Sequence, residues 1–180
     1  MQPTVVIPTF WTRRRGRGRE RASYDHPTPI TEAGTLPDCL RSLEPVEGLG
    51  RVAVLVAATD ESVEGAAEDR VRTILEDFPG IDAFVFGPAE MGSLHRRLEQ
   101  LEYADLLGGV SMAGYGGVRN VGLILSAVLG SECVVFVDDD QIITDTGFLR
   151  RAMEGLGESV GPKARPLLAK TGYYVDDSGS

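Results

Sequence analysis

The chain has 180 residues, of which 42% are hydrophobic and 25% charged, and a formal net charge of −9. That length suits one domain with a sizeable core, since domains commonly run to roughly 100–200 residues, and no apolar stretch reaches the ~18 residues of a membrane span. The acidic balance argues against general nucleic-acid binding, and Met1-Gln2-Pro3-Thr4 begins neither a secretory signal nor a transit peptide, so no integral membrane segment and a cytoplasmic address are expected.

Thr4-Val5-Val6-Ile7-Pro8 is a short β-rich run stopped by proline. An arginine-rich loop over 11–28 follows, in which six of the sixteen arginines lie between Arg13 and Arg21. It reads either as a solvated loop or as a receiver of anions, because guanidinium groups bind phosphates in a bidentate manner. Thr35-Leu36-Pro37-Asp38 opens a helix with a cap residue, an early proline and an early acid, and Leu36, Leu40 and Leu43 follow at helical spacing. Val52–Ala58 is a continuous apolar strand, and a helix is expected from about Val63 to Phe78, with Val71, Ile74, Leu75 and Phe78 on its inner face.

A third strand is expected over Asp82–Phe86 and a helix over Glu90–Leu107. Gly108–Gly117, with five glycines in ten residues, reads as a mobile loop. Val118–Leu129 has the pattern of a helix, Cys133–Val137 that of a buried strand, and a helix capped by Thr144 or Asp145 would carry Phe148, Leu149, Met153 and Leu156. Leu167–Val175 reads as a last strand. Strands separated by helical stretches imply an α/β fold, Rossmann-like, with a mainly parallel sheet and helices on both faces. Cys39 and Cys133 have no metal-ligand or disulfide spacing and read as buried thiols, and His26 and His95, far apart, read as structural.

The chemistry concentrates where the Cys133 strand stops, at Asp138-Asp139-Asp140. Three adjacent carboxylates repel one another unless a cation compensates them. The plain alternative is a solvated turn, where Asp is common. As a metal site, the hard oxygens suit Mg²⁺ or Mn²⁺, which take one or two carboxylates and complete their shell with substrate phosphates. In an extended segment Asp138 and Asp140 face the same side, leaving Asp139 for a ribose hydroxyl. Asp60, at the end of an earlier strand, reads as a ligand contact or as a helix cap, and Arg119 as an anion contact or a partner for a surface acid.

Gly117-Val118-Arg119-Asn120-Val121-Gly122-Leu123, followed after one helix by Cys133–Asp140, resembles the family 2 glycosyltransferases of the GT-A fold. Val5-Val6-Ile7-Pro8-Thr9-Phe10 is similar to that family's first strand, and Val54–Ser62 to its second strand with the acidic turn after it, so the resemblance covers most of residues 4–150. It implies a metal-dependent transfer of a sugar, with inversion, from a UDP- or GDP-type donor to an unidentified acceptor, with Mn²⁺ or Mg²⁺ bridging the Asp-x-Asp carboxylates and the diphosphate. Carried over by position, Pro8 and Thr9 line the nucleotide, Asp60 meets the base, Arg119 faces the diphosphate, and Asp138 and Asp140 hold ribose and metal. The arginine-rich loop would then receive an anionic acceptor or close over the diphosphate.

Three features depart from the family pattern. Thr59-Asp60-Glu61-Ser62 stands where Asp-Asp-Gly-Ser is usual, the arginine-rich insert is atypical, and the family's acceptor half and catalytic base lie beyond the Asp-x-Asp, where Asp176 or Asp177 would have to substitute for that base. The expectation is a metal-dependent glycosyltransferase whose GT-A fold reads as truncated, with a non-catalytic nucleotide- and metal-binding module or half of a split enzyme as the alternative. A receiver-like phosphoacceptor domain fits less well, because it needs a lysine near the end of a late strand and the chain has only Lys163 and Lys170.

Overall fold

The computed structural model of the chain describes residues 2–13, Tyr24 and residues 26–172. Of the segments named above, Arg14–Arg21, Tyr173–Val175, Asp176 and Asp177 lie outside the described residues. The elements run β1 (Thr4–Thr12), β2 (Thr28–Pro29), α1 (Leu36–Leu43), β3 (Val52–Ala58), α2 (Glu61–Glu76), β4 (Ala83–Phe86), α3 (Pro88–Gln100), a 3-10 turn (Ala104–Gly109), α4 (Tyr115–Val128), β5 (Val134–Phe136), α5 (Phe148–Met153), β6 (Ser159–Val160) and β7 (Arg165–Pro166). The fold is α/β, with a parallel sheet flanked by helices on both faces.

β1 is the axis of the sheet. It pairs with β3 along Val5–Trp11, and β3 pairs with β4. Its opposite edge is divided: β5 pairs with its first residues, Thr4–Val6, and β2 with its last, Trp11 and Thr12. The chain thus moves outward from β1 through β3 to β4 and then returns to the other side of β1 for β5. Such a reversal is the topological switch point of an open parallel sheet, and the crevice beyond the carboxyl ends of the strands there is where ligands bind in α/β folds.

Strand alternation sorts the core into two layers. Val5, Ile7, Val52, Val54 and Val137 pack with Leu36, Leu40, Leu43, Val71 and Leu149 of α1, α2 and α5. Val6, Ala53 and Leu55 face Met91, Val118 and Val121 of α3 and α4, with Phe136 packed against them. Burial on both faces explains the continuous apolar strands seen in the sequence.

Several boundaries differ from expectation, each for a local reason. β1 runs past Pro8 to Thr12, because Pro8 loses its N–H on the edge that β5 does not cover, as shown below. The helix expected to Leu107 ends at Gln100, where Glu102 at φ 65° turns the chain into the 3-10 segment. α5 stops before Gly155, whose φ of 76° favours glycine, so Leu156 is outside it. No strand forms over residues 167–172. Lys170 Nζ there donates to the carbonyls of Arg151 and Glu154 at the end of α5, at 2.9 and 2.8 Å, drawing this segment onto the helix terminus.

At Gly122, α4 lies close against the sheet. A Cβ there would lie 2.6 Å from the Phe136 ring and 3.0 Å from Val6 Cγ1. Alanine elsewhere in a helix gains roughly 1 kcal/mol over glycine, but overpacking a core costs about 1–3 kcal/mol. Gly122→Ala is therefore expected to lower stability by about 1–2 kcal/mol, whereas Gly65→Ala on α2, with nothing within 4 Å of its added Cβ, should raise it by up to ~1 kcal/mol. Urea unfolding midpoints of the two variants, shifted in opposite directions, check the contact.

Candidate functional site

β1 and β5 separate at one step of the ladder. Thr4 N–H donates to Cys133 C=O at 3.0 Å and Val137 N–H to Val6 C=O at 3.1 Å, so even-numbered residues of β1 direct their backbone groups toward β5. The next such residue is Pro8, which has no N–H to leave unsatisfied. β5 departs at that point into a turn closed by Gln141 N–H on Asp138 C=O at 3.0 Å, with Asp138 N–H on the Gln141 side-chain oxygen at 3.2 Å.

The alternation of β5 persists into the acids and divides them. Asp138 leaves on the α4 side, where its Oδ1 accepts from Arg119 Nη2 at 2.5 Å. The Arg119 guanidinium in turn lies 4.7 Å from the centroid of the Phe136 ring, a cation–π contact that fixes its direction. Asp139 leaves on the α1 side, and its Oδ2 accepts from the fully buried Thr9 hydroxyl at 2.6 Å. The turn then carries Asp140 outward to solvent. Because the acids lie in a turn and not in an extended strand, the same-side spacing expected for Asp138 and Asp140 does not arise from pleat alone.

Burial, opposed by the Thr9 hydrogen bond and reinforced by the charges of Asp140 and Asp138, raises the Asp139 carboxyl to about 6. Beneath the run, Cys39 Sγ lies 3.7 Å from the Asp138 carbonyl oxygen. Burial first, then the three carboxylates, pushes that thiol up to about 12, so Cys39 is a buried, unreactive thiol. Cys133, expected to be buried as well, is partly exposed.

Asp60 stands at the same carboxyl edge, on the β3 side of β1. It is the N-cap of α2, accepting from Ser62 N–H at 2.8 Å and from the Ser62 hydroxyl. Arg13 Nη2 donates to that hydroxyl at 2.8 Å, which places the first residue of the arginine cluster beside Asp60. Thr59 ties this turn to β1 through its N–H on Trp11 C=O at 2.9 Å and its hydroxyl on Thr12 Oγ1 at 3.1 Å. Pro8, Thr9, Arg119, Asp138 and Asp139 therefore gather in one place, with Asp140 at its rim and Asp60 across β1.

An aromatic group escaped the sequence reading. Phe10 stacks on Tyr24 with centroids 4.2 Å apart, and Tyr115 meets Phe10 and Tyr24 edge-on at 5.3 and 5.6 Å. Tyr115 precedes Arg119 by one helical turn, a spacing that already marked a shared face. Tyr24 gave no such signal, lying in a segment without periodicity. Its hydroxyl donates to Met112 C=O and accepts from Gly114 N–H at 3.0 Å. His95 Nε2 meets Val110 C=O at 2.6 Å, and Asn120 Nδ2 donates to Gly109 C=O at 2.8 Å. The glycine loop, expected to be mobile, is thus tied at four points, and Gly117 serves close packing, since a Cβ there would lie 2.5 Å from Ser111 C=O.

The site offers hard carboxylate oxygens, the donor type of Mg²⁺ and Mn²⁺. Among the described residues no three His, Cys, Asp or Glu side chains converge into a metal cage. One or two carboxylates with the remaining positions supplied by a ligand is the arrangement these residues fit. A concavity of about 680 Å³ lies at the opposite, amino edge of the sheet, where Thr4 bonds Ser131 and Arg51 bonds Asp82. No protein-family model matches the chain, and no curated protein does.

The raised Asp139 carboxyl has a thermodynamic consequence. Its folded value, about 6 against 3.8, means that the folded chain binds the proton more tightly than the unfolded one, so stability falls as pH rises through this window. Asn at 139 keeps an acceptor for Thr9 without the charge. Asp139→Asn is expected to be more stable than the parent at pH 7.5 by on the order of 1 kcal/mol and no more stable at pH 4, as read from urea midpoints without added divalent cations. Equal midpoints at pH 7.5 would show the charge to be well solvated.

Proposed function

We propose that the chain is the donor-binding part of a metal-dependent glycosyltransferase of the GT-A type, taking a sugar from a UDP- or GDP-type donor. The observation that carries this reading is the convergence of Asp138–Asp140 and Arg119 at the β1–β5 switch point. It is supported by the resemblance of four segments in order along residues 4–150.

In this reading Arg119 receives the diphosphate, for which its planar fork of donors is suited. Asp138 and Asp140 hold Mn²⁺ or Mg²⁺, which when bound neutralises charge developing on the departing diphosphate. Thr9 and Pro8 form the floor beneath the nucleotide, and Asp139, with one oxygen on Thr9, offers the other to a ribose hydroxyl. Asp60 keeps its cap and presents its carboxylate edge to the base, beside Arg13. The acceptor, expected to be anionic if the arginine-rich loop receives it, would approach from that side. No base that deprotonates the acceptor is assigned among the described residues, and the non-catalytic binding module is the second reading.

Calorimetry with UDP and GDP tests the site directly. With Mn²⁺ present one of them should bind, EDTA should abolish the heat, and Asp138→Ala with Asp140→Ala should weaken binding at least about tenfold. Unchanged affinity in the double variant would sink the assignment. Slow hydrolysis of a nucleotide sugar by the parent chain would separate the enzyme from the binding module.

A further inference from the structure

Arg119 holds one of the carboxylate oxygens that a metal ion at Asp138 would need. Its Nη2 is 2.5 Å from Asp138 Oδ1, and both side chains are partly exposed, at 38% and 44%. The guanidinium is also braced by the Phe136 ring at 4.7 Å, and Phe136 is braced by Gly122 on the same helix. The Asp138 pair is thus a placed interaction and not a chance meeting of two flexible chains.

A cation bound at Asp138 and the guanidinium on the same carboxylate repel each other, and the arginine has to give way. A diphosphate supplies what Arg119 would lose, since it offers oxygens to a bidentate donor. We propose that Arg119 is a built-in counter-ion for Asp138 that keeps metal binding weak until a diphosphate arrives, when it moves from Asp138 to the phosphates. This rests on the reading of the site as a metal and donor-diphosphate site, and it adds a rule to that reading: metal and nucleoside diphosphate bind with positive coupling. Coupling of this kind is reciprocal, so each ligand raises the affinity for the other by the same factor. Arg119 acts on the metal through Asp138 and on the diphosphate directly.

The functional consequence is economy of charge. Without a ligand, Arg119 compensates one of three adjacent acids, and the site does not collect divalent cations on its own. With a diphosphate, the positive charge of arginine and metal meets the negative charge of phosphates and carboxylates in one step.

The test uses Mn²⁺ alone, then UDP and GDP at saturating Mn²⁺, on the full chain, by calorimetry and by the Mn²⁺ paramagnetic resonance signal. Arg119→Gln removes the charge and keeps a polar side chain of similar reach. It is expected to bind Mn²⁺ alone about 3–10-fold more tightly than the parent, to bind the nucleoside diphosphate at least about 10-fold more weakly, and to lose most of the coupling. Arg119→Lys, which restores the charge, should return the affinity for Mn²⁺ alone toward the parent value. Thermal melting of both variants near the parent temperature shows that the fold is intact. If the parent binds Mn²⁺ with UDP or GDP but Arg119→Gln takes up Mn²⁺ alone no more tightly, the counter-ion inference is overturned while the site assignment stands. If neither the parent nor the variants take up Mn²⁺ with or without either nucleotide, the site assignment fails and the inference with it.

Discussion

The bond from Val137 N–H to Val6 C=O is the last rung between β1 and β5, and the arrangement of the carboxyl edge depends on where it falls. One residue further along β1 on that edge stands Pro8, which cannot donate, so the ladder ends there without leaving a buried donor unpaired. β5 is then free to turn away, and the next three residues, all acids, are delivered into the opening. A strand edge that stayed closed for two more rungs would place Asp139 in the sheet, where an unpaired carboxylate is costly.

The opening also decides which acid meets which partner. Pleat alternation is inherited by the first two acids, so Asp138 reaches α4 and Asp139 reaches the β1 hydroxyl of Thr9. The partners differ in kind. A guanidinium neutralises Asp138, whereas a neutral hydroxyl satisfies one oxygen of Asp139 without balancing its charge, and burial then raises that carboxyl to about 6. Three chemically identical residues in sequence thus become a paired anion, a half-buried acid near its titration range and a solvated carboxylate.

Much of this was legible in the sequence because it is periodic. The continuous apolar runs at Val52–Ala58 and Cys133–Val137 and the leucine spacing at Leu36, Leu40 and Leu43 gave the parallel sheet and the first helix with boundaries within a few residues. The acid run was identifiable at a strand end, and Pro8, Thr9 and Arg119 through the family resemblance. Their pairing was not, because the partner of Asp138 depends on the face from which α4 approaches and the partner of Asp139 on the register of β1 against β5. Tyr24 was illegible for a related reason: its role in holding the glycine loop is a contact across 88 residues, with no local pattern to announce it. Over residues 167–172, the described part of the strand expected at Leu167–Val175, no strand forms, and a single lysine, Lys170, binds the end of α5.

Packing and charge are joined at Gly122. The absence of a side chain there lets Phe136 lie against α4, and the face of that same ring carries the Arg119 guanidinium. Arg119 sits one turn before Gly122 on the helix, so the depth at which α4 settles onto the sheet sets the height of the guanidinium above the acids. A bulkier residue at 122 would lift the ring and the arginine together. The electrostatics of Asp138 are therefore not a surface property added to a finished core; they follow from how closely one helix approaches β1 and β5. This coupling explains why a glycine inside a helix, ordinarily unfavourable by roughly 1 kcal/mol, is compatible with this position: it permits the close approach that fixes both the ring and the cation above it.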